Sequence, residues 1–332
     1  MMKSSPSRRQ VLRQAAGLAA ATALPLGARA QEFPTGPIRI IVGFPPGGGA
    51  DAYARLLTPY LSDKLGQSIV IENKTGANGN LATDFVSKAR PDGHTLLLST
   101  SSAVVAAPHA TPRMPAHPVR DLAPITMAVE SEFVLITSPG LEAKNYQDFL
   151  ALAKKSPGSL IHATPGIGSA NHIAGELLSL RTGIKMITAH YRGSGQLMPD
   201  LLANQVHLTI ASVGLAEPYI KSGRVGALMV LGKQRVAPLP NVPTSFELGV
   251  KDLDQITFWL SLHAPKNTPR PIIQKVHEAL VAAYKVDAFR DKVIASGQRP
   301  IASSPQAFAE RIESDLALYG EIFKGANIKI DT

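Results

Sequence analysis

The chain has 332 residues with 45% hydrophobic and 18% charged side chains, no cysteine and a formal charge of +9. That length accommodates two domains of ordinary size, and the apolar share argues against a disordered chain. The lack of cysteine excludes a disulfide framework and a thiolate zinc site.

The first thirty residues read as a leader. "SSPSRRQVLRQ" is basic, "AAGLAAATALPLGA" is apolar and small, and "ARA" precedes Gln31. This is the three-part layout of a secretory signal peptide cleaved near Ala30–Gln31. Arg8 and Arg9 side by side, followed by Val11 and Leu12, resemble the twin-arginine variant. The apolar stretch is short for a membrane span, and no later segment offers about 18 uninterrupted apolar residues. The leader holds Lys3, Arg8, Arg9, Arg13 and Arg29 and no acid, so the formal charge of +9 falls by five to +4 on cleavage. No dense basic run with interleaved aromatics occurs elsewhere, so nucleic acid is not an expected partner.

"IRIIVGF" (residues 38–44) is a short, β-branched, nearly continuous apolar run, as expected of a strand buried on both faces. A loop of two prolines and three glycines follows, and then Tyr53, Leu56, Leu57, Tyr60 and Leu61 recur at helical spacing. "SIVIEN" reads as a second strand, "GNLATDFVSKA" as a second helix and "HTLLLSTSS" as a third strand. That alternation predicts a parallel α/β unit with right-handed crossovers. The plan then restarts. "FVLITS" is a strand, "NYQDFLALAKK" a helix and "LIHAT" a strand, and "PGIGSAN" is a second glycine loop running into the helix "HIAGELLSL". "KMITAHY" is a strand, "MPDLLANQ" a helix, and "VHLTIAS" and "RVGALMVLG" are strands. "KQRVAPLPNVPTSFELG" is proline-rich and reads as a surface loop before a short helix. "TFWLSLHAP" is a strand. Pro269 and Pro271 can start a helix carrying Ile272, Ile273, Val276, Leu280 and Tyr284. A last helix carries Phe308, Ile312, Leu316, Tyr319 and Phe323.

Each half therefore sets a glycine loop at the C-terminal end of a strand, where open parallel sheets bind ligands. Helix N-termini there present unpaired amides and partial positive charge, and each favours an anion by about 0.3–1 kcal/mol when exposed. The loop is not a P-loop, because Ala50 and Asp51 follow Gly49 where Lys and Ser or Thr are needed. "GGGADA" lacks the last glycine of a dinucleotide fingerprint, and "GIGSAN" is not a nucleophile elbow. The nine histidines show no zincin spacing. No nucleophile–base pair stands out, so neither an enzyme nor a cofactor or metal is expected.

"PIRIIVGFPPGGGADAYARLL", "GQSIVIENKTGANGN", "ARPDGHTLLLSTSS", "HIAGELL", "HYRGSGQLMPDLLANQVHL", "APLPNVPTSFELG" and "FWLSLHAP" occur in that order. This ordered set resembles the periplasmic substrate-binding proteins of tripartite tricarboxylate transporters, the Bug-type solute receptors, over residues 33–329. The resemblance implies a monomeric, two-lobe venus-flytrap protein of the periplasm. It implies two lobes with mostly parallel sheets flanked by helices and joined by crossing strands. Lobe one would be residues 31–131 plus 255–332, and lobe two residues 132–254. The cleft would hold a small carboxylate and hand it to membrane permease subunits. A sensor of the same fold, signalling to a membrane partner, is the alternative.

The resemblance also implies the ligand-contacting positions. On lobe one they are Phe44, Pro45, Pro46, Gly47, Gly48, Gly49, Asp51, Ser99, Ser101 and Ser102. On lobe two they are Thr164, Gly168, Ser169, Ala170, Asn171, His172, Tyr191, Arg192, Gly193, Ala211 and Ser212. Several of these have a plain structural alternative. Gly47 to Gly49 can simply close a turn, Asp51 can be a helix-start acid, and Ser101, Ser102 and Ser169 can be caps. His172 can be a packed histidine, Arg192 a solvated charge, and Trp259 lobe packing rather than a ligand wall. Ala211 and Ser212 stand where the family often carries an aspartate, which makes an amino-acid ligand less expected. Pro165 departs from a commonly more polar loop.

Overall fold

The computed structural model describes residues 33–111, 114–191, 194–326 and 328. The leader, with Arg8, Arg9 and the cleavage point, lies outside them. In chain order come β1 (Ile38–Val42), α1 (Gly49–Leu65), β2 (Ile69–Asn73), α2 (Asn80–Ser87) and β3 (Thr95–Thr100). A π-helical turn, Ser102–Ala106, runs into the short helices α3 (Ala107–Ala110) and α4 (Pro118–Asp121), and β4 (Leu122–Ser131) follows. Then come β5 (Phe133–Thr137), α5 (Tyr146–Lys155), β6 (Ile161–Thr164), α6 (Ala170–Thr182) and β7 (Ile187–His190). They lead to α7 (Ser194–Leu202), β8 (Leu208–Ser212), α8 (Val213–Lys221) and β9 (Gly226–Leu231). The last elements are β10 (Phe258–Pro265), α9 (Arg270–Tyr284), α10 (Asp287–Ala295), β11 (Arg299–Pro300) and α11 (Pro305–Gly325).

β1 shows why a continuous apolar run makes a central strand. Ile38, Ile40 and Val42 point into one buried cluster, and Ile41 points to the other face against Ala82, Val86 and Leu97. α1 buries Tyr53, Ala54, Leu57, Leu61 and Leu65 and stops at Gly66, whose φ of 68° is the left-handed cap that glycine takes without strain.

Among the described residues the strands form a six-stranded sheet, in the order β11-β4-β10-β3-β1-β2, and a five-stranded sheet, β7-β6-β8-β5-β9. The sheets are mixed. β1 pairs in parallel with β2 and β3, and β6 with β7 and β8, as the alternating pattern predicts. β10, β4, β5, β9 and β11 pair antiparallel. β5 and β10 arrive from the other sheet with no crossover helix of their own, so each is free to run opposite to its neighbours. The chain leaves the first sheet at Ser131 and enters the second at Phe133, and it returns between Leu231 and Phe258.

Two further departures from the sequence reading concern the connections. β3 ends at Thr100, and Ser101 and Ser102 turn into helix, with Thr100 Oγ1 accepting from the Ala103 amide at 3.3 Å. The proline-rich segment is no loose surface loop. Leu239, Val242, Thr244 and Ser245 are buried, and Thr244 makes a parallel bridge to Val230 at the edge of the second sheet. The short helix after it is the 3-10 turn Leu253–Gln255.

One apolar cluster joins the second sheet to the C-terminal helix. It contains Phe133, Leu135, Ile173, Leu177 and Leu231 together with Val104, Val105, Trp259, Phe308, Tyr319 and Phe323. Trp259 is fully buried, donates Nε1–H to Asp315 Oδ2 at 3.0 Å and meets Phe308 edge-on. It is packing between the crossing strands and α11.

Candidate ligand-binding site

The first glycine loop leaves β1 at its C-terminal end and opens α1. Pro45, Pro46, Gly47 and Gly49 are exposed, while Phe44 and Gly48 are half-buried. Gly48 is the N-cap and supplies no side-chain acceptor, so the first-turn amides of α1 have no side-chain cap. Gly47 adopts φ of 80°, and its amide donates to Asp51 Oδ2 at 2.9 Å. Asp51 is buried and fully used inside the protein. Arg55 donates to both of its oxygens at 2.8 and 3.0 Å, and Asn73 Nδ2 donates to Oδ1 at 2.9 Å while also reaching the Phe44 carbonyl. The Arg55 hydrogen bonds, helped by the Gly47 amide and Asn73 and opposed by burial, hold the Asp51 carboxyl down at about 2. Asp51 thus anchors the loop from behind, and the exposed side is backbone.

The end of β3 meets the start of α6. Ser102 Oγ accepts from the Ala170 amide at 3.0 Å, which links the first sheet to the second-sheet helix. Ser99 and Ser101 are buried beside it. Ser169 is the N-cap of α6, its Oγ accepting from the His172 amide at 3.2 Å. Asn171 Nδ2 donates to the Ile210 carbonyl at 2.6 Å, tying α6 to β8 next to Ala211 and Ser212. The Gly168 amide donates to His172 Nδ1 at 3.1 Å, so the other ring nitrogen, facing Glu176 Oε1 at 3.5 Å, carries the proton. The amides of Gly168, Ala170 and His172 therefore have protein acceptors. The structure brings the second glycine loop to the first sheet, but as a largely satisfied wall.

A polar cluster stiffens that wall. The His172 and His190 rings pack edge to face with centroids 4.7 Å apart, and Thr164 Oγ1 is 2.8 Å from His190 Nδ1. Hydrogen bonding from His172 draws the Glu176 carboxyl down, and burial draws His190 down. Tyr191 donates its hydroxyl to Asp200 Oδ2 at 2.7 Å, and burial followed by that bond pushes the phenol up to about 12. Arg192 and Gly193 lie outside the described residues. Among the described residues no group of His, Cys, Asp and Glu side chains is arranged to hold a metal ion, and no helix is long and apolar enough to cross a membrane.

Residues 53–328 match the model of the tripartite tricarboxylate transporter family receptor. The chain belongs to that receptor family. Protein BugT of Bordetella pertussis is 35% identical over 306 residues, covering 91% of this chain and 92% of the relative. Among solved structures, R. palustris Rpa4515 with adipate is 29% identical with a TM-score of 0.82, covering 90% of this chain and 99% of that one. MatC from Rhodopseudomonas palustris, with bound malate, is 28% identical with a TM-score of 0.78, covering 87% and 99%. A solute receptor of this family, with two mixed sheets flanked by helices, accounts for glycine loops at strand ends better than any catalytic constellation does.

Sequence reasoning passed over a third loop. Between β2 and α2, Gly76, Ala77, Asn78 and Gly79 all have positive φ, and two of them are not glycine. Such strained backbone gathers at functional sites. The signal was present in "TGANGN", two glycines ahead of a helix and directly after a strand. It also passed over His162, a fully buried histidine whose ring fits only because residue 175 is glycine: a Cβ there would stand 2.2 Å from the ring.

Proposed function

We propose that this receptor binds a small carboxylate between two lobes, in the periplasm, as a monomer, and delivers it to the permease subunits of a tripartite tricarboxylate-type transporter. Lobe one is residues 31–131 plus 255–332 and lobe two residues 132–254, a division supported by the change of sheet at Ser131–Phe133 and between Leu231 and Phe258. The observation that carries the ligand class is the start of α1. It is a 17-residue helix with no side-chain cap behind an exposed glycine loop, and its nearest carboxylate, Asp51, is already neutralised by Arg55. An anion placed on those amides gains the hydrogen bonds and the helix dipole together. The adipate and malate held by the two R. palustris proteins support the same class for this chain. Phe44, Pro45 and Pro46 would flank the ligand on lobe one, and Ser169 to His172, Tyr191, Ala211 and Ser212 would supply the contacts from lobe two.

The test is a thermal-shift screen of small carboxylic acids against the neutral amides of the same skeletons. At a ligand concentration of about 100 times Kd, binding adds about 2.7 kcal/mol, or about 5–10 °C in Tm. The acids should stabilise and the amides should not; equal responses overturn the carboxylate reading. Gly49→Val is the matching variant. A Cβ at Gly49 meets nothing within 4 Å, so the fold should tolerate the substitution while the approach to the amides is narrowed. Unchanged affinity in that variant would remove α1 from the site.

A further inference from the structure

β2 ends the first sheet on the side away from β11, and among the described residues no strand pairs with its outer edge. The Ile38 amide donates to the Ser68 carbonyl and the Lys74 amide to the Val42 carbonyl, so the even-numbered residues of β2 turn their backbone to β1. The amides and carbonyls of Ile69, Ile71 and Asn73 therefore face outward. Prolines, bulges and free charges blunt most native edges. β2 has no proline, its register with β1 runs unbroken from Ile69 to Asn73, and Glu72 is tied back to Arg39 of β1 by two hydrogen bonds. Its side chains divide by alternation. Ile69 and Ile71 pack into the core, while Val70, Glu72 and Lys74 take the face that carries α2. α2 packs over β3, β10 and β1 and leaves Val70 47% exposed. Arg39, opposite Val70 in the register, lines a groove of about 770 Å³ together with Lys74, Phe85 and Leu81, the last of which is 53% exposed.

The charges of this groove are balanced with one exception. Arg39 holds Glu72, Lys88 holds Asp84 and Arg90 holds Asp92. Lys74 has no carboxylate at ion-pair distance among the described residues, and its ammonium lies 4.1 Å from the centre of the Phe85 ring. An open strand edge, exposed apolar side chains and one uncompensated cation together define a partner. It is an extended segment with apolar side chains at alternate positions and a carboxylate opposite Lys74. Asn73 joins this edge to the ligand site. Its backbone belongs to the open edge, while its side-chain amide donates to the Phe44 carbonyl and to Asp51 Oδ1 behind the first glycine loop. We propose that an extended apolar and acidic segment of a permease subunit adds to β2 as a further strand of the first sheet, against the strand that anchors the carboxylate-binding loop. This rests on the transport reading above.

The experiment pairs uptake by cells of the native strain with calorimetry on the purified receptor, for the wild type, Val70→Lys and Lys74→Gln. The probe in both is the acid that raises Tm most in the thermal-shift screen, radiolabelled for uptake. Val70→Lys sets a charge where the added strand packs, and Lys74→Gln removes the cation that its carboxylate meets. Uptake should fall about tenfold in each, with Kd and Tm unchanged. Wild-type uptake in both variants overturns the proposal. Two other occupants leave different patterns, and either pattern overturns it as well. An edge that pairs with a second copy gives a wild-type dimer in sedimentation, which Val70→Lys converts to monomer. A surface that meets an anionic membrane gives co-sedimentation with phosphatidylglycerol vesicles; Lys74→Gln weakens that binding, and Val70→Lys, with one more cation, strengthens it and keeps uptake. Lys74→Gln decides alone if Val70→Lys lowers Tm. Normal uptake in the variants removes this inference and leaves the transport reading standing. Normal uptake in a strain without the receptor removes both.

Discussion

Asp51 shows how one side chain can matter to a binding loop without facing its ligand. Its two oxygens take the Gly47 amide, the Arg55 guanidinium and the Asn73 amide, and those contacts outweigh the burial that would otherwise raise its carboxyl. The folded value of about 2 lies below the ordinary aspartate value of 3.8. A depressed carboxyl contributes stability that is fully present above the unfolded value and is lost as pH falls through the folded one. The wild type should therefore lose this contribution between about pH 4 and pH 2. Asp51→Asn should be less stable than wild type at pH 7 by about 1–2 kcal/mol, for the loss of charged hydrogen bonds. The gap should narrow on acidification through that window. Urea unfolding of both proteins at pH 7, 4 and 2.5 checks this, and a gap independent of pH would mean that Asp51 acts through shape alone.

At the scale of elements, the sequence was legible where one periodicity was clean. β1, β2, β3, β5, β6 and β8 are short, mostly apolar runs, α1 and α11 carry long apolar faces, and Pro269 and Pro271 do open α9. β4 was not legible, because Pro124 interrupts "LAPITMAVES" and proline normally argues against an interior strand. The structure accommodates it where the β4–β10 register slips, with Pro124 opposite His263. α8 and α10 were also missed; each is short, and Gly214 and Pro218 dilute the pattern of the first. The candidate site was legible as loops but not as hydrogen bonds, since Ser102 meeting Ala170 and Gly79 meeting Ala103 are tertiary facts. The packing of α6 on β6 is another. Alanine at position 175 would favour an isolated helix by about 1 kcal/mol. In this fold its Cβ would overlap the His162 ring, and overpacking of that kind costs about 1–3 kcal/mol. Gly175→Ala should be net destabilising, and His162→Ala in the same chain should recover part of the loss. Thermal melts of the single and double variants test it, and a stabilised Gly175→Ala would show that the ring has room to move.

Across the whole molecule, two features limit how far the lobes can part. Near the crossing strands the backbones touch: a Cβ on Gly214 would stand 2.1 Å from the Ser296 carbonyl, and Ser131 Oγ donates to the Gly297 carbonyl at 2.9 Å. Glu130 accepts from Thr257, Arg299 and Arg311 within the same lobe, so the strands and helix that hold the Ser296–Gly297 turn against Gly214 are themselves tied together. Further out, the apolar cluster runs without a break from Val104 and Val105 into Ile173 and Leu177, and the Ser102–Ala170 hydrogen bond closes its edge. Closure on a ligand is then a small rotation about a joined base rather than the swing of two separate bodies. Small-angle scattering should show a slightly more compact particle when a stabilising acid is added. Ser102→Ala removes an interlobe hydrogen bond of about 1 kcal/mol and leaves the Ala170 amide without that acceptor. The ligand-free variant should populate more open forms than the wild type, so its compaction on binding should be larger and its affinity lower. If ligand-free Ser102→Ala scatters like the wild type and closes by the same amount, the bond does not restrain opening, and the apolar cluster alone sets the range of motion.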